Sequence, residues 1–117
     1  MMIRGFTLTL IGAALALSAT TTFAAGDPAS GSKKIATCVA CHGKDGNSVD
    51  PQYPRLAGQY ADYLEQALHE YKSGKRDNLV MKGFAATLSD QDIDDISAYF
   101  HTMPTKLSGL EGHVQGD

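Results

Sequence analysis

Residues 25–105 predict an all-α domain of three main helices, and three observations carry that expectation. Tyr60, Tyr63, Leu64, Ala67, Leu68 and Tyr71 recur at helical spacing and give one apolar face across three turns. Ile93, Ile96, Tyr99 and Phe100 make a second stripe behind a marked start signal. No segment shows the apolar–polar alternation of a strand.

The elements follow in order. Asp27-Pro28 suits the start of a first helix, with Asp as N-cap and Pro at the first helical position. That helix is expected to run to about Thr37, with Lys33 and Lys34 facing solvent. Gly43 to Asp50 is rich in Gly, Asn, Asp and Ser and reads as a loop. Pro51 and Pro54 extend it as irregular chain. The second helix carries the Tyr60–Tyr71 face and stops near Ser73-Gly74, where Gly suits the left-handed end position. Lys72, Lys75 and Arg76 complement the negative end of its dipole. Asp77 to Thr87 has little periodicity and reads as a loop carrying Met81 and Gly83. Ser89-Asp90-Gln91-Asp92 resembles a capping box with Asp in place of Glu or Gln, and it opens the last helix. Pro104 lies beyond its end, and residues 106–117 form a polar, Gly-rich, flexible tail.

The first 24 residues are excluded from the fold. Arg4, the apolar stretch Phe6–Ala19 and small residues at Thr22-Phe23-Ala24 fit a cleaved secretory signal peptide. The apolar run is shorter than the roughly 20 residues that a spanning helix wants. Cleavage removes Arg4 and leaves nine Lys/Arg against thirteen Asp/Glu. That acidic balance gives no basic stripe for nucleic acid, and no stable membrane insertion is expected once the signal is gone.

The two cysteines of the chain fall in Cys38-Val39-Ala40-Cys41-His42. C-x-x-C-H is the attachment signature of c-type haem. Residues three apart share a helical face, so both thiols can add to the vinyl groups of one porphyrin. His42 then offers an imidazole to the iron. A zinc site would need two more ligands, and His69, His101 and His113 are scattered. A thioredoxin-like dithiol would need a βαβ context. The three remaining histidines read as solvated side chains.

These residues, in order, resemble the class I cytochrome c family. The likeness is to small bacterial cytochromes of the c-553 type and to one half of the di-haem cytochromes c-4. It rests on Cys38 to Gly43, Tyr53-Pro54-Arg55-Leu56-Ala57-Gly58-Gln59, Ser73-Gly74-Lys75-Arg76, Met81, and Leu88 to Ile93 leading to Ala98-Tyr99-Phe100. The resemblance implies three helices around one covalent haem c, with Met81 sulfur as second iron ligand. It implies that the Pro54 carbonyl accepts from the ligand histidine, and that Gly31 and Ile35 pack on Ile96 and Tyr99. Tyr53, Arg55, Gln59 and Arg76 become candidate donors to the haem propionates. The exposed haem edge would lie near Val39, Ala40, Lys44, Lys82, Ala85 and Ala86, with the acids Asp90, Asp92, Asp94 and Asp95 set apart on the last helix.

His/Met ligation leaves no open iron position, and a Met ligand raises the reduction potential. The implied function is a soluble periplasmic one-electron carrier, not an enzyme. Its partners would be redox proteins such as a terminal oxidase or a dehydrogenase. Two rivals stand beside it. One is a five-coordinate catalytic or gas-binding cytochrome with Met81 as core. The other is a haem subunit docked on a larger dehydrogenase.

Overall fold

The computed structural model describes residues 25–106, and the expected signal segment 1–24 lies outside them. The expected tail lies outside as well, except for Lys106. Five helices and no strand occur among the described residues: α1 (Pro28–Gly31), α2 (Ala36–His42), α3 (Ala61–Ser73), α4 (Leu79–Ala85) and α5 (Asp90–Thr102).

Where one N-terminal helix was expected to reach Thr37, two short ones form. Asp27 caps α1 through the N–H groups of Ala29 (3.0 Å) and Ser30 (3.1 Å). The chain then tightens into i→i+3 turns, the Lys33 N–H donating to the Ser30 carbonyl (3.2 Å) and the Lys34 N–H to the Gly31 carbonyl (2.9 Å). Ser32 turns its hydroxyl back to the Ala29 carbonyl, a bond that competes with the backbone ladder. The second helix starts where the Cys38 and Val39 N–H groups both donate to the Ile35 carbonyl.

Lys34 also departs from the expected solvated position. Its ammonium lies 2.7 Å from Asp92 Oδ1 and 2.7 Å from Asp95 Oδ2. Asp95 is buried rather than part of an exposed acidic cluster. Its second oxygen accepts from the Asp27 N–H (2.8 Å) and from Gln91 Nε2 (2.9 Å). The physical cause is a close approach of α1 to α5. A β-carbon at Gly31 would collide with the Asp95 carbonyl and come 2.8 Å from Tyr99 Cβ. Only glycine lets the two backbones meet there. Ile35 then joins Leu64, Ile96 and Phe100 in the core.

On α3 the buried face is narrower than its spacing suggests. Leu64 and Ala67 are buried, but Tyr60 is exposed at the N-cap and Tyr63 is about half exposed. The helix ends at Gly74, whose φ of 80° is the left-handed cap that glycine adopts without strain. Lys72 reaches across to the Leu88 carbonyl (2.7 Å) and Asp90 (3.3 Å), so α3 grips the start of α5.

The segment read as an unstructured Met81 loop contains helix α4. Its apolar residues Leu79, Val80, Met81 and Phe84 span too few turns for a periodic signal to stand out. Ala85, placed at an exposed rim by sequence, is buried in its last turn. The last helix forms as expected. Ser89 Oγ accepts from the Asp92 N–H (3.1 Å) and Asp92 Oδ2 accepts from the Ser89 N–H (2.9 Å). Asp thus completes the capping box as Glu would.

A candidate haem crevice

The site assembles from five stretches. Helix α2 supplies Cys38, Cys41 and His42, the loop before α3 supplies Tyr53, Pro54 and Leu56, and α4 supplies Asn78, Val80, Met81 and Phe84. Helices α3 and α5 close the back with Leu64, Leu68, Ile96 and Phe100. Together they line a cavity of about 430 Å³.

Neither cysteine is in a disulfide, and both border this space. The three-residue spacing on one helix puts them on a common face. Burial pushes the Cys38 thiol up, with a smaller opposing hydrogen bond from Thr37. His42, at the end of α2, is buried, and its Nδ1 lies 2.8 Å from the Pro54 carbonyl oxygen. A carbonyl only accepts, so this bond requires the proton on Nδ1 and leaves Nε2 with its lone pair. Tyr53 meets the His42 ring edge-on, with centroids 6.2 Å apart.

The loop that carries Pro54 is itself tied down. The Leu56 and Ala57 N–H groups donate to the Gly46 carbonyl at 2.8 and 3.0 Å, and the Gly58 N–H donates to the Phe100 carbonyl at 2.9 Å. Asn47 bridges to the Pro104 carbonyl and to the Lys106 N–H. His42 therefore sits between a helix and a pinned loop.

Met81 is half-buried on α4 and borders the same cavity. Among the four candidate propionate donors, Tyr53 borders the cavity and the other three do not line it. Arg55 Nε donates to the Ser48 carbonyl (3.2 Å). Gln59 Oε1 accepts from the Tyr60 N–H (2.9 Å). Arg76 pairs with Glu70 (3.4 Å) and lies over the Tyr63 and Tyr71 rings. Sequence reasoning did not pick out Asn78, Val80 and Phe84 as lining residues. The i, i+4 pair Val80–Phe84 behind an Asn cap was the signal for them.

Two thiols, a buried imidazole and a thioether border one apolar-walled cavity, groups of the kinds that hold a c-type haem. With five helices packed this way, the domain has the class I cytochrome c fold. Residues 28–104 match the family described as cytochrome c, and the chain belongs to that family. It is 56% identical over 77 residues to cytochrome c4 of Pseudomonas aeruginosa, covering 66% of this chain and 38% of that protein. It is 51% identical over 79 residues to cytochrome c-554(548) of Halomonas halodenitrificans, covering 65% of this chain and 95% of that protein. The crystal structure of reduced recombinant cytochrome c4 from Pseudomonas stutzeri superposes with a TM-score of 0.65 at 45% identity, covering 68% of this chain and 47% of that one. The chain thus spans less than half the length of these cytochromes c4 and nearly all of cytochrome c-554(548). Family membership brings one covalently bound haem c to this domain.

Proposed function

We propose that the protein is a soluble periplasmic electron carrier of respiratory redox proteins, working through a His/Met-ligated haem. Cys38 and Cys41 would hold the haem through two thioethers, with His42 and Met81 as iron ligands and Tyr53 toward the propionates. Of the other three candidates, Arg76 would have to give up its pairing with Glu70 to join Tyr53 there. When bound, the haem supplies a ferric/ferrous couple that accepts and returns one electron.

The observation that carries this reading is the 2.8 Å contact of His42 Nδ1 with the Pro54 carbonyl, in the cavity that Cys38, Cys41 and Met81 also line. The carbonyl fixes the ring plane and the tautomer, and it raises the basicity of the nitrogen left for iron. The apolar wall of Leu56, Leu64, Leu68, Ile96 and Phe100 would shield the bound haem from water on that side. A dry, packed environment alters little between two charge states, which suits electron transfer better than substrate turnover. Secretion would be directed by residues 1–24. No helix of the described residues is long and apolar enough to cross a membrane.

The test is spectroscopic. The mature protein should carry one haem that acidified acetone fails to extract. Its oxidised form should show the weak near-infrared sulfur-to-iron band, and Met81→Ala should abolish that band. A band that survives in Met81→Ala, or a high-spin spectrum in the wild type, excludes Met81 as ligand.

A further inference from the structure

We propose that Asn78 is the positioning residue for Met81: its side chain caps α4 on the methionine's own N–H, and this cap, opposed by Gly83, sets how firmly the thioether is held. The inference rests on the reading of Met81 as second axial ligand.

Helix α4 has seven residues, and isolated helices this short are marginal in water. Something other than propensity has to hold it. Outside the cavity, packing contributes little to its first turn: Leu79, which does not border the cavity, is 84% exposed. The only buried residue of α4, Ala85, lies at the opposite end.

The first N–H groups of a helix have no partner within it. In α4 the first intrahelical bond runs from the Lys82 N–H to the Asn78 carbonyl, at 2.8 Å. The N–H just before it belongs to Met81, and Asn78 Oδ1 accepts it at 2.9 Å. Asn78 itself is extended, with φ −161° and ψ 110°, as an N-cap residue is. One residue thus fixes both Met81 and its successor, side chain to one and carbonyl to the other. Asn78 and Met81 border the same cavity.

Gly83 acts in the other direction. It lies inside α4, two residues after Met81. A β-carbon there would meet nothing within 4 Å, so no close approach calls for glycine. What it adds is backbone freedom, which weakens a helix interior. The helix that carries Met81 therefore holds one element that tightens it and one that loosens it.

The experiment titrates the oxidised holoprotein with imidazole, which can bind iron only where the thioether lets go. Loss of the sulfur-to-iron band is the readout. Asn78→Ala should bind imidazole about five-fold more tightly, the typical loss for an N-cap. Asn78→Asp should stay near wild type, since Asp caps as well as Asn. Gly83→Ala should bind imidazole about two- to five-fold more weakly. Wild-type affinity in Asn78→Ala, equal effects of Asn78→Ala and Asn78→Asp, or tighter binding in Gly83→Ala would each overturn the proposal. Met81→Ala separates the two levels. If it tightens imidazole binding while Asn78→Ala does not, only the cap proposal fails. If the wild type lacks the band and Met81→Ala leaves the affinity unchanged, the ligand assignment fails and takes the cap with it.

Discussion

Helix α5 buries Ile93, Asp95, Ile96, Ser97 and Phe100, whereas α4 buries Ala85 alone. The two helices face one cavity and are held by different forces. Helix α5 is gripped by α1 through a glycine contact, by Lys34 through two carboxylates and by α3 through Lys72. Helix α4 depends on a cap and on its contacts with α3. The histidine side of the site belongs to the first regime, since the Gly58 N–H ties the Pro54 loop to the end of α5. The methionine side belongs to the second. On the proposed ligation, this arrangement would keep His42 under a rigid frame and leave Met81 on a helix held mainly by its cap.

The contrast breaks most severely at Phe100, which is 1% exposed and packs with Ile35, Leu64 and Ile96. Phe100→Ala should cost about 3–5 kcal/mol, the usual range for a truncated core aromatic. Chemical denaturation of the holoprotein would measure it as a lowered midpoint. A change under about 1 kcal/mol would mean that α5 is not the frame it is argued to be. Gly31→Val should come next, at about 1–3 kcal/mol, because the added side chain must push α1 away from the Asp95 carbonyl and Tyr99. Far-ultraviolet dichroism on heating should show the lowered transition.

The same division separates what the sequence discloses from what it conceals. The α5 stripe, its Ser89–Asp92 box and the Gly74 stop are local signals, each written within a few residues, and they appear as read. The C-x-x-C-H run and the Pro54 carbonyl lie close in sequence, and His42 meets Pro54 as the family pattern implies. What stayed hidden depends on distant chain. Lys34 looked solvated because Asp92 and Asp95 lie about sixty positions away. The break after Gly31 follows from contact with α5, which no local propensity reports. Helix α4 escaped for the opposite reason: it is too short and too exposed to leave a periodic trace. Spacing alone puts Tyr60 and Tyr63 on the apolar face, yet Tyr60 is the N-cap residue and both stand exposed. Arg76 found Glu70 and two tyrosine rings, partners on α3 that its own position does not advertise.

A smaller effect sharpens the contrast through pH. The Lys34 ammonium and the Ser89 N–H hold Asp92 down to about 2. The Asp27 N–H, Lys34 and Gln91 hold Asp95 down to about 2. Both groups start from an ordinary value of 3.8. A carboxylate depressed in the fold contributes stability that is complete above the unfolded value. The contribution falls as pH drops through the window between about 4 and about 2. The α1–α5 contact should therefore weaken in that window, read as a falling thermal midpoint. Asp95→Asn should flatten the slope, since its amide has no charge to lose. An unchanged slope in that variant would place the acid response elsewhere.

The smallest effect is expected at Leu79, and it tests the other half of the comparison. Leu79 opens α4, is 84% exposed and does not border the cavity. If packing held the first turn of α4, Leu79→Ala would destabilise it measurably. If the Asn78 cap holds it, the substitution removes almost no buried surface and replaces Leu with the best helix former. The expected change in global stability is within about 0.5 kcal/mol, as for surface sites away from special features. The sulfur-to-iron band should keep its intensity. A loss of the band in Leu79→Ala, with the Asn78 cap intact, would show that the exposed leucine rather than the cap anchors the methionine side.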